Sequence, residues 1–548
     1  MIRLSVLFLL YSFSLISQNG YFKWPLDIEV NLTGNYGELR PNHFHAGFDF
    51  STNNKINYPV KVAADGYVSR IKVSPVGYGK ALYVTHPNGK VTVYGHMTNY
   101  AEKINRYVKE EQYRAESFDI ELFPKPDQFK VKAGEVIGFS GNSGSSGGPH
   151  LHFEIRDEKT EVPLNPALYY PMNDTEKPVL ERVALYNLGD TAAPQFMDAY
   201  PLKTAGATYT LKKDSITVRQ SIIGIAFSGY DVLKPKGNKN NIYSTKLYVD
   251  SILIYEHALD GIAFSEARYV NEFSDVQGKH KFQRCFVPTL YPKGMYKYVF
   301  NKGRVILLDT NYHQVKMVFA DENKNEVTLS FYIRTTKFNY YRKPSIKGDL
   351  YAQCDKDVFY DKKKLQIFIP AGTLYNSTPL IFENTLETTG KLIILPTDAK
   401  LNSTAIVGFE APAKYRAVKS KLLFRNADNL YLPIVHNDSV FYSVKNFGWF
   451  QLAVDTLAPS LKTELPPAKF NKQKNKSQLV FVMRDELSGI KSYRLLMNQK
   501  WVLAEYDAKT NRLIYFFDEQ TPKGKLLFKL EASDKCGNRS SLEVSVTN

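Results

Sequence analysis

Residues 138–155 read GFSGNSGSSGGPHLHFEI, a run of small residues feeding a short apolar strand. The lead-in from Gly138 to Gly148 lets backbone approach a ligand closely, because little side chain intervenes. A phosphate-binding loop is the competing reading, but such loops end in Gly-Lys-Ser/Thr, and this one does not. It runs instead into a strand, Leu151 to Ile155, in which residues two apart face the same side. His150 and His152 can therefore look into one cleft.

The flanking sequence also reads as short strands and tight turns. Pro59 to Lys72 (PVKVAADGYVSRIK) gives two alternating runs around Asp65-Gly66, a hairpin signal. Ala81 to Thr85 and Val91 to Tyr94 flank Pro87-Asn88-Gly89, a second hairpin. Between Tyr100 and Phe118 the pattern turns to charged residues with Ile104, Tyr107 and Val108 at helical spacing, which predicts a surface helix. Phe123-Pro124-Lys125-Pro126 ends it, and strands resume near Val131.

Six of the ten histidines (His43, His45, His86, His96, His150, His152) precede residue 153. Chemistry belongs in this N-terminal third. A catalytic zinc wants three protein ligands and an open fourth position. His45-Ala46-Gly47-Phe48-Asp49 offers an imidazole and a carboxylate, but a straight strand would hold them about 13 Å apart. The segment must curl, and Gly47 permits that. His96, at the end of a hairpin strand, and the His150/His152 pair complete the candidates. Spacing alone leaves open which of these bind metal. His43 and His86 match no role and read as surface or supporting residues.

The chain has 548 residues, which suggests three or four domains. Hydrophobic residues at 43% and charged residues at 23% exclude a largely disordered chain, and 37 Tyr with 34 Phe favour β structure. Three Cys exclude a disulfide scaffold and a four-cysteine zinc cluster. A net charge of +16 favours an anionic partner without choosing one. Met1-Ile2-Arg3, the apolar run Leu4 to Ile16 and the polar exit Ser17 to Gly20 read as a secretory signal peptide over 1–17. No later segment is long and apolar enough to span a bilayer, so no transmembrane span is expected after signal removal. Export argues against a nucleic-acid partner and for the periplasm or cell envelope, or secretion.

A repeat lies further on. Asp174-Thr175-Glu176-Lys177-Pro178 is echoed by Asp455-Thr456-Leu457-Ala458-Pro459, and Asp321 with Asn325 by Asp534 with Asn538. Ile242 to Leu247 can be laid beside Ile490 to Leu495. Related β-sandwich modules would explain this, the first enlarged by insertions that include the basic, Asn-rich Lys234 to Asn241. The expected class is mainly β: a β domain carrying the candidate histidines at 18–173 with a helix-like insertion at about 101–130, a β module at 174–337, a different β domain at 338–454, and an immunoglobulin-like module at 455–548.

HFHAGFDF (43–50), PVKVAADGYVSRI (59–71), GYGKALYVTHPNGKVTVYGHM (77–97), VKAGEVIGFSGNSGSSGGPHLHFEIR (131–156) and NPALYY (165–170), in this order, resemble the lysostaphin-type (LytM-like) zinc endopeptidases of peptidoglycan. The resemblance covers about Gly37 to Leu168, and the insertion at 101–130 departs from it. It implies an antiparallel β fold with a groove, one Zn2+ on His45, Asp49 and His152, and His96 and His150 in the chemistry. No His-Glu-x-x-His motif supplies a Glu base, so the two imidazoles are expected to share proton transfer. Peptidoglycan is the expected substrate, with an envelope protein as a further partner for the C-terminal β modules. The alternatives are a non-catalytic regulator of another wall hydrolase and an envelope adhesion or assembly protein.

Overall fold

In the computed structural model, residues 20–189, 193–233, 237–336, 348–362, 364–397, 399–427, 429–464 and 478–548 are described. The expected signal peptide lies outside them, as do the first three residues of the Lys234 to Asn241 insertion and the junction near 338. The chain is mainly β. Among the described residues no helix is long and apolar enough to cross a membrane.

Alternation decides the N-terminal sheet. Five strands carry it: β1 (Phe48–Ser51), β2 (Gly66–Val73), β3 (Lys80–His86), β4 (Lys90–Met97) and β5 (His150–Asp157). They lie in the antiparallel order β1-β5-β4-β3-β2. Leu151, Phe153 and Ile155 of β5 are fully buried against Val68, Ile71, Leu82, Val84 and Tyr94. Burying such side chains stabilises by about 1.5–3 kcal/mol each. The register this imposes sends His150, His152, Glu154 and Arg156 to the opposite face, because side chains alternate along a strand.

The turn Pro87-Asn88-Gly89 joins β3 to β4 as a hairpin, as its sequence predicts. Asp65-Gly66 does not make one. Pro59–Lys61 pairs with Val136–Phe139 in a separate three-stranded sheet, while β2 pairs with β3. The Asp65 carboxylate accepts from the Ala133 backbone N–H, at 2.8 Å, and from Lys132, so the bend is tied to a distant segment. The insertion begins as the expected helix, α1 (Glu102–Ala115), with Ile104, Val108 and Gln112 buried at four-residue intervals. It ends at Glu116 in the left-handed region. Ile120–Leu122 and Lys130–Val131 then pair with β2, so the insertion extends the sheet as well as decorating it.

Beyond residue 178 the strands continue. Val179–Asn187 to Glu326–Thr335 contribute to a twelve-stranded sheet whose core also takes in Tyr36, Leu39 and Phe44 from the N-terminal third. A six-stranded and a five-stranded sheet between Leu350 and Val454 share one core, and two four-stranded sheets between Ser460 and Thr547 share another. Tyr493, Leu503 and Tyr506 of this last part pack back onto the N-terminal core. Lys80–Glu505 (2.9 Å), Lys109–Asp518 (3.0 Å) and Arg494–Glu116 (2.5 Å) ion pairs ring that contact.

Candidate metal centre

Two adjacent strands bring the first donors together. Asp49 of β1 lies directly opposite His152 of β5 in the sheet register. His45 returns to them through the curl that the sequence requires. A Cβ on Gly47 would sit 2.1 Å from the Phe153 carbonyl oxygen, so only glycine lets the chain lie this close to β5. The His45 Nε2 to Asp49 Oδ1 distance is consequently 3.1 Å, far below that of a straight strand. His152 Nδ1 lies 2.9 Å from the same oxygen and 3.1 Å from His45 Nε2.

The outward atoms of these groups are all engaged. His45 Nδ1–H donates to the Asn35 carbonyl at 2.7 Å, which leaves the Nε2 lone pair facing inward. His152 Nε2–H donates to Glu154 Oε1 at 2.8 Å, leaving its Nδ1 lone pair inward. Arg40 holds Asp49 Oδ2 at 2.5 Å, so Oδ1 alone is presented. Three lone pairs thus converge at about 3 Å spacing. They repel one another unless a cation lies between them, and ligands about 2.0–2.2 Å from a tetrahedral ion have spacings of this order. The donor set therefore fits a metal ion held by His45, Asp49 and His152. Burial would raise the Asp49 pKa, but charge and hydrogen bonds from the surrounding histidines hold it well below the usual carboxylate range. Burial lowers the His152 pKa, yet hydrogen bonds to Asp49 and Glu154 outweigh it and raise it to about 9, so the position calls for positive charge: a proton on Nδ1, or a metal ion that displaces it and takes the lone pair.

A support layer lies behind the donors. Glu154 accepts from Arg156 Nε at 2.6 Å and from the Tyr78 hydroxyl, and the Tyr78 ring stacks on His152 with centroids 4.9 Å apart. Carboxylates that fix a ligating imidazole raise its basicity and set its tautomer. Asn35 is itself held from far along the chain. It exchanges two hydrogen bonds with Asn241, of 3.1 and 3.0 Å, so part of the Asn-rich insertion supports the His45 anchor. Sequence reasoning misses Arg40, Asn35, Tyr78, Glu154 and Arg156. Only Glu154 and Arg156 leave a local signal, since they share the His150/His152 face of β5.

His96 and His150 stand beside the donors, their ring centroids 4.7 Å apart. His96 ends β4 with φ of 60°, a left-handed conformation uncommon for a residue with a side chain. Its Nδ1–H donates to the Ser143 carbonyl at 2.9 Å, which leaves Nε2 as the acceptor. Burial, with His152 and His150 nearby, lowers its pKa to about 3, so the ring is neutral. His150 Nδ1 meets the Gly148 carbonyl at 2.8 Å and the Ser146 hydroxyl at 3.2 Å, and its Nε2 lies 3.3 Å from Asp49 Oδ1. The Gly/Ser-rich lead-in therefore positions both rings. Gly144 (φ +69°) lets this loop lie on the turn at Gly77 to Gly79, where a Cβ would come within 2.3 Å of the Gly79 nitrogen.

All five candidate side chains gather here. His43 does not join them: it is exposed, with its Nδ1 on the Pro41 carbonyl. Neither does His86, which is buried between the Asp65 carbonyl and the Thr92 hydroxyl rather than lying at the surface.

Over 128 residues the chain is 33% identical to the DD-carboxypeptidase/endopeptidase Mpg of Neisseria meningitidis serogroup B, covering 23% of this chain and 24% of that protein. It is 28% identical over 144 residues to the peptidoglycan DD-endopeptidase ShyA of Vibrio cholerae, covering 25% and 27%. The chain thus spans about a quarter of the length of these curated relatives. Among solved structures, the catalytic domain of the prophage-encoded M23 protein EnpA from Enterococcus faecalis is 26% identical, covering 25% of this chain and 89% of that one, with a TM-score of 0.19. The model of peptidase family M23 matches residues 43–119 and 125–166, the part of the chain that holds the five side chains.

Proposed function

We propose that this chain is an exported zinc-dependent endopeptidase that hydrolyses peptide bonds in peptidoglycan stem peptides or cross-links. The observation that carries the reading is the convergence of three inward lone pairs with two further imidazoles beside them. The match to the model of peptidase family M23 supports it, as do relatives named as peptidoglycan DD-endopeptidase and DD-carboxypeptidase/endopeptidase.

In this reading His45, Asp49 and His152 hold the zinc. Such an ion supplies Lewis-acid polarisation of a carbonyl and lowers the pKa of water to about 7. His96 is neutral with its lone pair on Nε2, and it takes the proton of the attacking water there. His150, oriented by the Gly148 carbonyl at Nδ1, is the group that passes a proton to the leaving amine. The rings are close enough to serve one scissile bond, and a protonated imidazole donates to the developing oxyanion. Arg40 and Glu154 keep the donors oriented throughout.

The peptidase occupies residues 18–173, and residues 1–17 direct export. The net charge of +16 suits a wall whose peptides and polymers carry carboxylates or phosphates. The β modules at 174–337, 338–454 and 455–548 attach the enzyme to the wall or to an envelope protein.

Mass spectrometry of products from defined muropeptides tests the reading. A new amine and a new carboxyl terminus at one peptide bond are expected, with the glycan intact. Intact muropeptides, or cleavage in the glycan, by folded and zinc-loaded protein would overturn it.

A further inference from the structure

Two carboxylate clusters lie outside the M23 site, one in each copy of the sequence repeat. Asp174, Asp231 and Asp321 bring carboxylate oxygens within 4.8 Å of one another, and Asp455, Asp485 and Asp534 do the same. The two clusters are built alike. Asp321 and Asp534 each accept from the backbone N–H of the asparagine four residues on, at 2.8 Å, and from its side-chain amide at 2.7 Å. In each copy that same amide also donates to the backbone carbonyl of the opening aspartate, Asp174 (3.0 Å) or Asp455 (3.1 Å). The third member directly succeeds a strand in both: Asp231 after Ile222–Tyr230, Asp485 after Gln478–Arg484.

Hydrogen bonds within such a cluster explain its shape but not its charge. The decisive feature is Asp231. It is only 2% exposed, its backbone is paired with Asn240, and its Oδ1 has no hydrogen-bond partner among the described residues. An unpaired buried carboxylate oxygen is costly, and other carboxylates nearby make it more so. Among the described residues, none of the six aspartates has an ion pair with Lys, Arg or His. Burial, then Asp174, Glu322 and Asp321, push the Asp231 pKa up to about 8.

We propose that Asp174, Asp231 and Asp321 bind a calcium ion. The donors are all hard oxygens with no imidazole or thiolate among them, which selects a hard divalent cation over zinc. The irregular arrangement of carboxylates suits the flexible coordination of Ca2+ better than the strict octahedron of Mg2+. The position gives the ion a role. Asp174 lies where the M23 part of the chain passes into the next strands, and Asn323, beside Asp321, donates to the carbonyls of both Met172 and Asp174. The ion fixes the junction between these consecutive parts of the chain.

The test is isothermal titration of CaCl2 into the full-length, zinc-loaded protein in calcium-free buffer, with a parallel titration of MgCl2. One Ca2+ ion should bind at this cluster, with Kd in the range of about 10⁻⁴–10⁻³ M typical of extracellular modules. Asp231→Asn should abolish that binding. Asp231→Asn should also unfold no earlier than the parent without calcium, since it removes a repelling charge, while losing the calcium-induced rise in unfolding temperature. No saturable binding at millimolar calcium, binding unchanged in the variant, or equal affinity for Mg2+ would overturn the proposal. Peptidoglycan hydrolysis does not enter this readout, so its outcome is independent of the proposed peptidase activity.

Discussion

His152 presents one nitrogen to the donor cluster and gives the other to Glu154, and that division predicts how nearby substitutions behave. His96→Ala and His150→Ala should each lower hydrolysis by at least about 10²-fold, the usual scale for a lost acid–base group, while the purified proteins keep one zinc by elemental analysis. Loss of zinc from His150→Ala would make that residue a ligand and move the proton transfer elsewhere. Glu154→Gln keeps the shape but removes the charge behind His152, and should weaken zinc about 10- to 100-fold in competition with a chromogenic chelator. Unchanged affinity would show that Glu154 only packs. The His-x-His spacing and the glycine of His-x-Gly-x-Asp are legible in the sequence because alternation and curling are local properties. Tyr78 is not, since it meets Glu154 from 76 residues away, and Arg40 and Asn35 are not, since no local period marks the contacts they make with Asp49 and His45 nine and ten residues on.

Among the elements, period-two alternation identifies the strands, but their partners are less evident. The Pro-Asn-Gly turn closes a hairpin because its neighbours pair with each other. Asp65-Gly66 carries a similar signal and instead passes the chain between two sheets, a choice set by Val136–Phe139 some seventy residues on. The helix in the insertion is readable from its apolar spacing, whereas its return as sheet edge depends on β2 offering an unpaired side. The strand Ile252–Ala258 supplies a prediction of another kind. Its His257 is fully buried, with the Tyr255 hydroxyl at 3.0 Å from Nδ1 and no partner for Nε2 among the described residues. Burial lowers its pKa from 6.5 to about 3. The unfolded chain therefore binds a proton that the folded chain does not, and stability should fall as pH drops from about 6.5 toward 3, by about 1.4 kcal/mol per pH unit. His257→Phe should flatten this slope in urea unfolding monitored across that range. An unchanged slope would assign the acid sensitivity to other groups.

Across the whole molecule, the first and last parts of the chain meet beside the candidate centre. Lys509 Nζ donates to the carbonyls of Asn142 and Ser146, on the loop that holds both His96 and His150. Lys509→Ala should speed amide hydrogen exchange in 141–148 about fivefold, matching about 1 kcal/mol, and lower hydrolysis without loss of zinc. Exchange unchanged by the substitution would show that the loop is held by the N-terminal part alone. The sequence repeat is visible as paired motifs, but not that its last copy rests on this loop, because nothing in either segment encodes the other's position. Metal-dependent peptide hydrolysis at this centre can be put to proof by incubating the purified full-length protein with peptidoglycan, then with chelator, then with zinc restored. Release of peptide fragments that stops with chelator and returns with zinc is predicted; cleavage insensitive to chelator, or none from folded zinc-loaded protein, would contradict it.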